Sequence, residues 1–398
     1  MIQEGILQND NVQPSSTYPA VYEWLVASTS LVYVITVFGL NGVPDVSMLG
    51  FFSAVFLFLL LFLYIGKLQL PSWTLIILSF YFYMILPAFG LETPPIEKIS
   101  MLTTAFIGAL SIGLALQNKI LSYNILAFGA IIAAVINIVA VHAGVDMSPL
   151  AEKAQRYSGL MGNANALSMS MAFAALLIWL FPERFNLPVR MLGISIAFYG
   201  MYVSASRKGA LMVAALLLLV FLKHVITLSK AKIILYITMI TTSMLAFYEV
   251  LKEIFVQYST KILVVDRLMD TFTGQEVSFN TRVSLIDTGW ELWEKAPLFG
   301  YGFDQFSSLA GTSSYAHNNY IELAVSGGII ALMLFYSLHF TILHNAIKQA
   351  DELRLRLLIL VAAILVIDTA TVSFYDKSVM CMLGIFLAVS SEQQEIDV

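Results

Sequence analysis

The sequence predicts an all-α, polytopic integral membrane protein with about twelve transmembrane helices and one large loop outside the bilayer. Hydrophobic residues fill 59% of the 398 positions, and charged residues fill only 12%. A soluble protein uses about twice that share of charges, roughly 25%, so an ordinary soluble domain is excluded. High hydrophobicity also excludes a disordered chain. The third observation is a series of apolar segments, each close to the length that crosses a hydrocarbon core about 30 Å thick.

These apolar segments follow one another along most of the chain. A helix rises about 1.5 Å per residue, so about 20 apolar residues span the bilayer. The twelve candidates lie near 20–40, 47–66, 70–90, 99–117, 120–143, 164–181, 189–206, 209–226, 232–250, 318–344, 355–373 and 378–391. The first 19 residues are polar and carry no basic cluster, so we expect no signal peptide.

Lysine and arginine in the loops predict the orientation. With the N-terminus in the cytoplasm, the cytoplasmic loops hold ten of these residues and the short loops opposite hold six. Because cytoplasmic loops carry the excess of positive charge, both termini are predicted to be cytoplasmic.

The loop at 250–316 differs from all the others. It is 67 residues long and carries 13 of the 47 charged residues. Its stretches ILVVDRLMDTF and TRVSLIDTGWELWEK place apolar residues at helical spacing, which predicts amphipathic helices over the membrane mouth. We therefore expect one membrane domain, 1–398, with this loop inserted between its ninth and tenth helices.

Two cationic patches fall on the outer side in this topology. In the stretch RYSGLMGNANALS, Arg156 offers a planar fork of donors that suits phosphate oxygens. In the tight turn SASRKGAL, Arg207 and Lys208 form a second cationic site. Two such sites suit a diphosphate, since each phosphate needs its own counter-charge. The alternatives are an interfacial loop with a snorkelling arginine and simple anchoring of the helix ends.

A third patch follows the large loop. It contains Tyr301 within GYGFDQF, and His317 and Asn318 within YAHNNY. A neutral imidazole with an unperturbed pKa of about 6.5 can accept a proton near pH 7, which makes His317 a candidate base. The alternative is a structural hydrogen bond.

Deep in the eleventh segment lies Asp368, an intramembrane carboxylate. Such a residue is either functional or a packing partner for Thr, Ser or Arg. The sequence contains no HExxH, no paired Asp-x-Asp and no phosphate-binding glycine loop, and Cys381 is the single cysteine, so no metal site or cofactor is predicted. A net charge of −5 gives no sign of nucleic-acid binding.

Four stretches together resemble the bacterial O-antigen ligase and O-antigen polymerase superfamily. They are RYSGLMGNANALS, SASRKGAL, TRVSLIDTGWELWEKAPLFGYGFDQF and AHNNYIELAVSGG, which run in the family's order over 156–328. The resemblance implies a C-type-like membrane glycosyltransferase of the bacterial inner membrane, with its large loop in the periplasm. It also implies an undecaprenyl-diphosphate-linked glycan as donor, a glycan or glycolipid as acceptor, and contacts with membrane lipids and polysaccharide-assembly proteins.

The same resemblance implies roles for individual residues. Arg156 and Arg207 match arginines that hold the lipid diphosphate, and His317 matches a histidine that activates the acceptor hydroxyl or contacts phosphate. Arg282 matches an arginine at the start of the Trp-containing loop helix. Further candidate substrate contacts are Asn318, Lys208 and Tyr301.

Three functions remain open at this point. The resemblance favours a polymerase, whose acceptor is another lipid-linked repeat unit, over a ligase, whose acceptor is lipid A–core. A lipid-linked glycan flippase or secondary transporter is the alternative from another class. Transporters usually place polar features near the bilayer midplane, whereas the polar patches here lie at one mouth.

Overall fold

The computed structural model describes residues 18–91, 94–147, 156–225, 277–312 and 314–392, together with 238, 239 and 242. All regular structure within these residues is helical, in agreement with the predicted fold class. The predicted amphipathic stretch 262–272 lies outside the described residues, as does nearly all of the predicted span 232–250.

Thirteen α-helices form the described part of the chain. They are α1 Ala20–Gly39, α2 Pro44–Phe62, α3 Ser72–Ala88, α4 Ile96–Gln117, α5 Tyr123–His142, α6 Ala164–Leu180, α7 Leu187–Ser204, α8 Arg207–Val225, α9 Val277–Lys295, α10 Phe306–Leu309, α11 Asn319–Ala346, α12 Asp351–Asp368 and α13 Lys377–Ser391.

Six of these helices are long and apolar enough to cross a membrane, namely α1, α2, α4, α5, α7 and α11. The helices α3, α6 and α13 are apolar but shorter. Helices α8 and α12 coincide with two further predicted spans. The described residues are thus those of a multi-pass membrane protein. A helix pairs its own backbone polar groups, which is what the bilayer core requires of a spanning segment.

Helices α4 and α13 pack against each other at the centre of the bundle. Their contact is close because small residues face each other. A Cβ atom at Gly384 would lie only 2.3 Å from the carbonyl oxygen of Ala109. Small residues at such positions let membrane helices approach closely enough for dense packing.

The helix ends separate into two groups. The ends assigned to the cytoplasm, with Lys67, Lys119 and Arg184, meet around one cavity that Tyr18 and Glu392 also line. At the other end, Gly42 N donates to Leu160 O at 2.9 Å, Tyr157 N to Val203 O at 3.1 Å, and Lys377 Nζ to Asn41 Oδ1 at 3.1 Å. This grouping agrees with helices that alternate in direction.

Helix α11 is broken at Gly328, which has φ 65° and ψ −162°. The break leaves carbonyl groups without helical partners, and the segment after α9 and Tyr83 of α3 supply new donors. Tyr301 N donates to Val325 O at 2.8 Å, Gly302 N to Ser326 O at 2.9 Å, and Tyr83 Oη to Gly327 O at 2.8 Å. The C-terminal part of the large loop is therefore hydrogen-bonded to α11.

The orientation can be tested by cysteine labelling. We expect Ser308→Cys, at an exposed position in α10, to react with an impermeant thiol reagent in intact cells with a permeabilised outer membrane. Asp351→Cys, at the start of α12, should react only after lysis, because the charge bias places it in the cytoplasm. The unmodified chain is the control, since its Cys381 is buried. If Asp351→Cys reacted in these cells and Ser308→Cys reacted only after lysis, the orientation would be the opposite of the predicted one.

Candidate active site

The first two cationic patches form one unit in the structure. Arg156 Nε donates to the carbonyl oxygen of Ser204 at 2.8 Å, and its Nη2 donates to Asn165 Oδ1 at 3.1 Å. The Ser206 hydroxyl donates to the same Asn165 oxygen at 2.9 Å. The guanidinium is thus held against the turn that carries Arg207 and Lys208, which the sequence analysis treated as a separate site.

Two glycines of the first patch, Gly159 and Gly162, contact protein. Both have positive φ, at 53° and 68°. A Cβ atom at Gly159 would lie 2.7 Å from Asn137 Oδ1, and one at Gly42 would lie 2.3 Å from Gly162 N. Their small size serves the packing of this segment onto α5 and the α1–α2 turn.

The turn between α7 and α8 is tight and strained. Ala205 has φ 45°, a conformation uncommon for residues other than glycine, and is buried. The Ser206 hydroxyl accepts a hydrogen bond from Gly209 N at 3.2 Å. The turn sets Lys208, which is 9% exposed, within electrostatic range of Arg156, Arg207 and Arg282.

Helix α9 carries Arg282 to this cluster. Arg282, Leu285 and Gly289 are spaced three and four residues apart, so they share one face of the helix. Leu285 is buried in an apolar cluster with Ile321 of α11, and a Cβ atom at Gly289 would lie 2.1 Å from Ile321 Cγ2. Close packing of α9 on the start of α11 therefore places Arg282 near His317.

His317 lies in the same cluster with an unusual backbone. Its φ is 55°, and Ser314 Oγ and His317 Nε2 share a hydrogen bond of 3.0 Å. The ring lies against Tyr315, with a centroid separation of 4.0 Å. Burial, followed by the charges of Arg282 and Lys208, lowers the pKa of His317 to about 4. The pKa of His317 therefore lies below the unperturbed value of about 6.5 that was used in the sequence analysis.

The chain on both sides of His317 is anchored. Ala316 N donates to the buried Glu322 Oε2 at 2.8 Å. Asn318 caps α11 by accepting a hydrogen bond from Ile321 N at 3.1 Å, and it donates to Thr369 O at 3.3 Å. Strained backbone of this kind persists where the surroundings determine it from several sides.

Asn319 links α11 to the segment before α13. Its Oδ1 accepts hydrogen bonds from Ser373 N at 2.8 Å and Phe374 N at 3.2 Å, and its Nδ2 donates to Asp368 Oδ2 at 3.2 Å. Tyr336 Oη also donates to Asp368 Oδ2, at 2.9 Å. The intramembrane carboxylate thus accepts hydrogen bonds from Asn319 and Tyr336, which differ from the Thr, Ser or Arg partner expected from the sequence.

Five of the seven predicted site residues converge at this end of the bundle. They are Arg156, Arg207, Lys208, Arg282 and His317. Asn318 is adjacent but is engaged as a helix cap. Tyr301 belongs to the junction between the loop and α11, where its hydroxyl donates to Leu292 O at 3.2 Å.

The structure adds residues that the sequence analysis missed. Asp376 lies within electrostatic range of Lys208 and of Tyr315, whose pKa is raised by burial. It also caps α13, accepting hydrogen bonds from Ser378 N at 2.9 Å and Val379 N at 3.0 Å. An aspartate just before an apolar segment is a helix-start signal, which could have identified the cap but not its proximity to the cations.

Glu322 provides a test of the anchoring of His317. We expect Glu322→Ala to lower the free energy of unfolding by about 1–3 kcal/mol, because the buried Ala316 N–H loses its acceptor. Glu322→Gln keeps an acceptor oxygen and should cost less. Denaturant unfolding in detergent measures both variants. Equal losses for the two variants would show that the hydrogen bond to Ala316 is not what Glu322 contributes.

The cluster as a whole is suited to an anion. Lys208 lies within electrostatic range of three arginines, Arg156, Arg207 and Arg282, and of the carboxylate of Asp376. Arginine forks and a lysine at one site are groups suited to binding an anion with two charged groups. Among the described residues, no three His, Cys, Asp or Glu side chains are grouped so as to hold a metal ion.

One known protein family matches part of the chain. The family model described as O-antigen ligase matches residues 192–336. This range runs from α7 through the large loop to α11, and it includes Arg207, Lys208, Arg282 and His317. No curated protein sequence matches the chain. The match at 192–336 confirms the resemblance, seen in the sequence, to the superfamily of O-antigen ligases and polymerases, whose members are glycosyltransferase-like enzymes.

Proposed function

We propose that the protein transfers a glycan from an undecaprenyl-diphosphate carrier to the hydroxyl of an acceptor sugar, on the periplasmic face of the bacterial inner membrane. One observation carries this proposal. Arg282 and Lys208 lie within electrostatic range of His317, and Arg156 and Arg207 lie within range of Lys208 at the same end of the bundle. A diphosphate leaving group needs fixed positive charge, and an attacking hydroxyl needs a proton acceptor.

In the proposed reaction, the acceptor hydroxyl attacks the anomeric carbon of the donor glycan. A new carbon–oxygen bond forms as the bond between the anomeric carbon and the phosphate oxygen breaks. Its electron pair leaves with the diphosphate, where negative charge grows. Arg156, Arg207 and Arg282 retain their charge at any working pH, so they stabilise the leaving group throughout the reaction.

His317 takes the hydroxyl proton in this scheme. With a pKa of about 4, its imidazole is neutral near pH 7 and can accept a proton. It is also a weak base in that state, partly because Arg282 and Lys208 disfavour its charged form. A bound diphosphate would offset these positive charges and raise the pKa of His317, so donor binding would strengthen the base.

We infer a polymerase as the specific role, with a second lipid-linked glycan as acceptor. This choice rests on the sequence resemblance. A ligase acting on lipid A–core is the second candidate, since the matching family model is described by ligase activity. A flippase is less well supported, because the charged groups gather at the bundle end and the deep Asp368 is occupied by Asn319 and Tyr336.

The test is a glycan-transfer assay with purified protein and an undecaprenyl-diphosphate-linked repeat unit. A polymerase should build a ladder of lengthened products from donor alone. A ligase should transfer only after a separate acceptor is added. We expect either activity to persist in excess EDTA, because fixed arginine charge takes the place of a metal. Loss in EDTA with recovery on adding magnesium would contradict the proposed mechanism, and donor translocation without transfer would favour a flippase.

A further inference from the structure

The end of the bundle opposite the cationic cluster contains a large open cavity. Its volume is about 1200 Å³, and it is surrounded by the ends of several helices and their connections. Three cationic side chains line it, those of Lys67, Lys119 and Arg184. The proposed glycosyl transfer uses none of these residues.

Aromatic rings support two of the three cations. The Arg184 guanidinium lies over the rings of Tyr123 and Phe181, at 5.3 and 5.2 Å from their centroids. Lys67 Nζ lies 5.4 Å from the centroid of Tyr64. Such contacts hold a cation in place without neutralising its charge.

Two carboxylates also line the cavity, those of Glu23 and Glu392. Glu392 Oε1 already accepts a hydrogen bond from the Tyr123 hydroxyl at 2.8 Å. The starts of α1 and α5 and the ends of α4 and α13 line the same cavity, so the partial charges of these helix ends offset one another. The balance of charge in the cavity is therefore positive and favours an anionic group.

An apolar groove continues from this cavity. The groove has a volume of about 730 Å³ and shares Trp24, Ala27 and Ile125 with the polar cavity. Its further lining is almost entirely apolar and includes Leu31, Phe128, Ile131, Val189 and Leu192. Trp24 stands at the junction and is 67% exposed, the position that tryptophan prefers at a membrane interface.

We propose that cavity and groove together bind one anionic phospholipid from the membrane leaflet on this side. The headgroup phosphate lies among Lys119, Arg184 and Lys67, and an acyl chain follows the groove between α1, α5 and α7. A basic pocket between helices on one side of the membrane is the arrangement that recognises anionic headgroups. The continuity of polar cavity and apolar groove selects an amphiphile over a free anion.

The test is titration of the purified full-length protein with phosphatidylglycerol or phosphatidylcholine, followed by native mass spectrometry. We expect phosphatidylglycerol to bind more tightly by about tenfold or more. The double variant Lys119→Gln, Arg184→Gln should lose this preference. The matched control is Lys348→Gln, Arg354→Gln. It removes two cations near the same end, where Gln349 Nε2 donates to Glu392 O at 2.8 Å, but neither residue lines the cavity.

A second variant tests the groove without changing charge. Ala27→Phe fills the junction between the two parts and should weaken binding of phosphatidylglycerol, with the fold checked by thermal unfolding. Equal affinity for the two lipids, or a preference that survives in the double glutamine variant, would overturn the proposal. So would phosphatidylglycerol binding that appears only after residues 1–17 or 393–398 are deleted, because the chain's own terminal segment would then be the occupant.

Discussion

We expect His317→Ala to lower kcat/KM for glycan transfer by about 10²–10⁴-fold, the usual cost of losing a general base. The acceptor hydroxyl is a poor nucleophile until its proton is removed, and His317 is the histidine that lies beside Arg282 and Lys208. The measurement is the rate of product formation by purified protein with a lipid-diphosphate-linked donor.

The matched control is His344→Ala. His344 lies near the far end of α11 and is exposed, so its loss should leave the rate unchanged. Near-normal turnover of His317→Ala would remove this residue from the chemistry, even if the protein proves to be a glycosyltransferase.

The pH dependence distinguishes a perturbed base from an ordinary one. The neutral imidazole is the active form, so the rate falls as pH drops through the pKa of His317. With a pKa near 4 in the free enzyme, kcat/KM should change little between pH 7.5 and about 5.5. A histidine at the unperturbed value of about 6.5 would lose roughly tenfold over the same interval. In kcat the acid limb should lie at higher pH, because bound diphosphate raises the pKa.

We expect Arg207→Ala to lower kcat/KM by about 10²–10³-fold, the cost of removing one group that stabilises charge in the transition state. Arg207→Lys should restore the rate only in part, since lysine offers a point charge without the planar fork. The same assay measures both variants. Arg156→Ala should be at least as harmful, because Arg156 also hydrogen-bonds Ser204 and Asn165.

A matched control is Arg354→Ala, which removes an exposed arginine paired with Asp351 at the start of α12. It should retain full activity, and thermal unfolding should show that all variants keep their fold. If Arg207→Ala and Arg156→Ala both turn over normally, the diphosphate is bound elsewhere, and a transport function gains support.

The transmembrane frame could be predicted from the sequence because lipid forces apolar segments into helices. The predicted span 164–181 corresponds to α6 Ala164–Leu180, and 378–391 corresponds to α13 Lys377–Ser391. The interruption at Gly328 could not be predicted in this way. The groups that satisfy the freed carbonyls include Tyr83, which is 244 positions away from Gly327.

The candidate site could be predicted in its residue types but not in its electrostatics. The arginines and the histidine at predicted outer helix ends are residues that the structure brings within electrostatic range of one another. The lowered pKa of His317 depends on burial and on Arg282 and Lys208, which reach it only through tertiary packing. Tyr301 differs from these residues. Its motif suggested a substrate contact, whereas its hydroxyl and backbone N–H form hydrogen bonds at the junction between the loop and α11.

The large loop is hydrogen-bonded to α11 at two points, and this affects where the chain can accept inserted residues. The segment 303–315 begins after the Gly302–Ser326 hydrogen bond and ends before the Ala316–Glu322 hydrogen bond, so both of its ends are fixed to one helix. Gly311 lies between these ends with φ 63°, and a Cβ atom there would meet nothing within 4 Å. Extra residues inserted at Gly311 would lengthen the surface next to the mouth while leaving His317 in place. Such insertions would change the surface that faces the glycan without changing the residues of the cationic cluster.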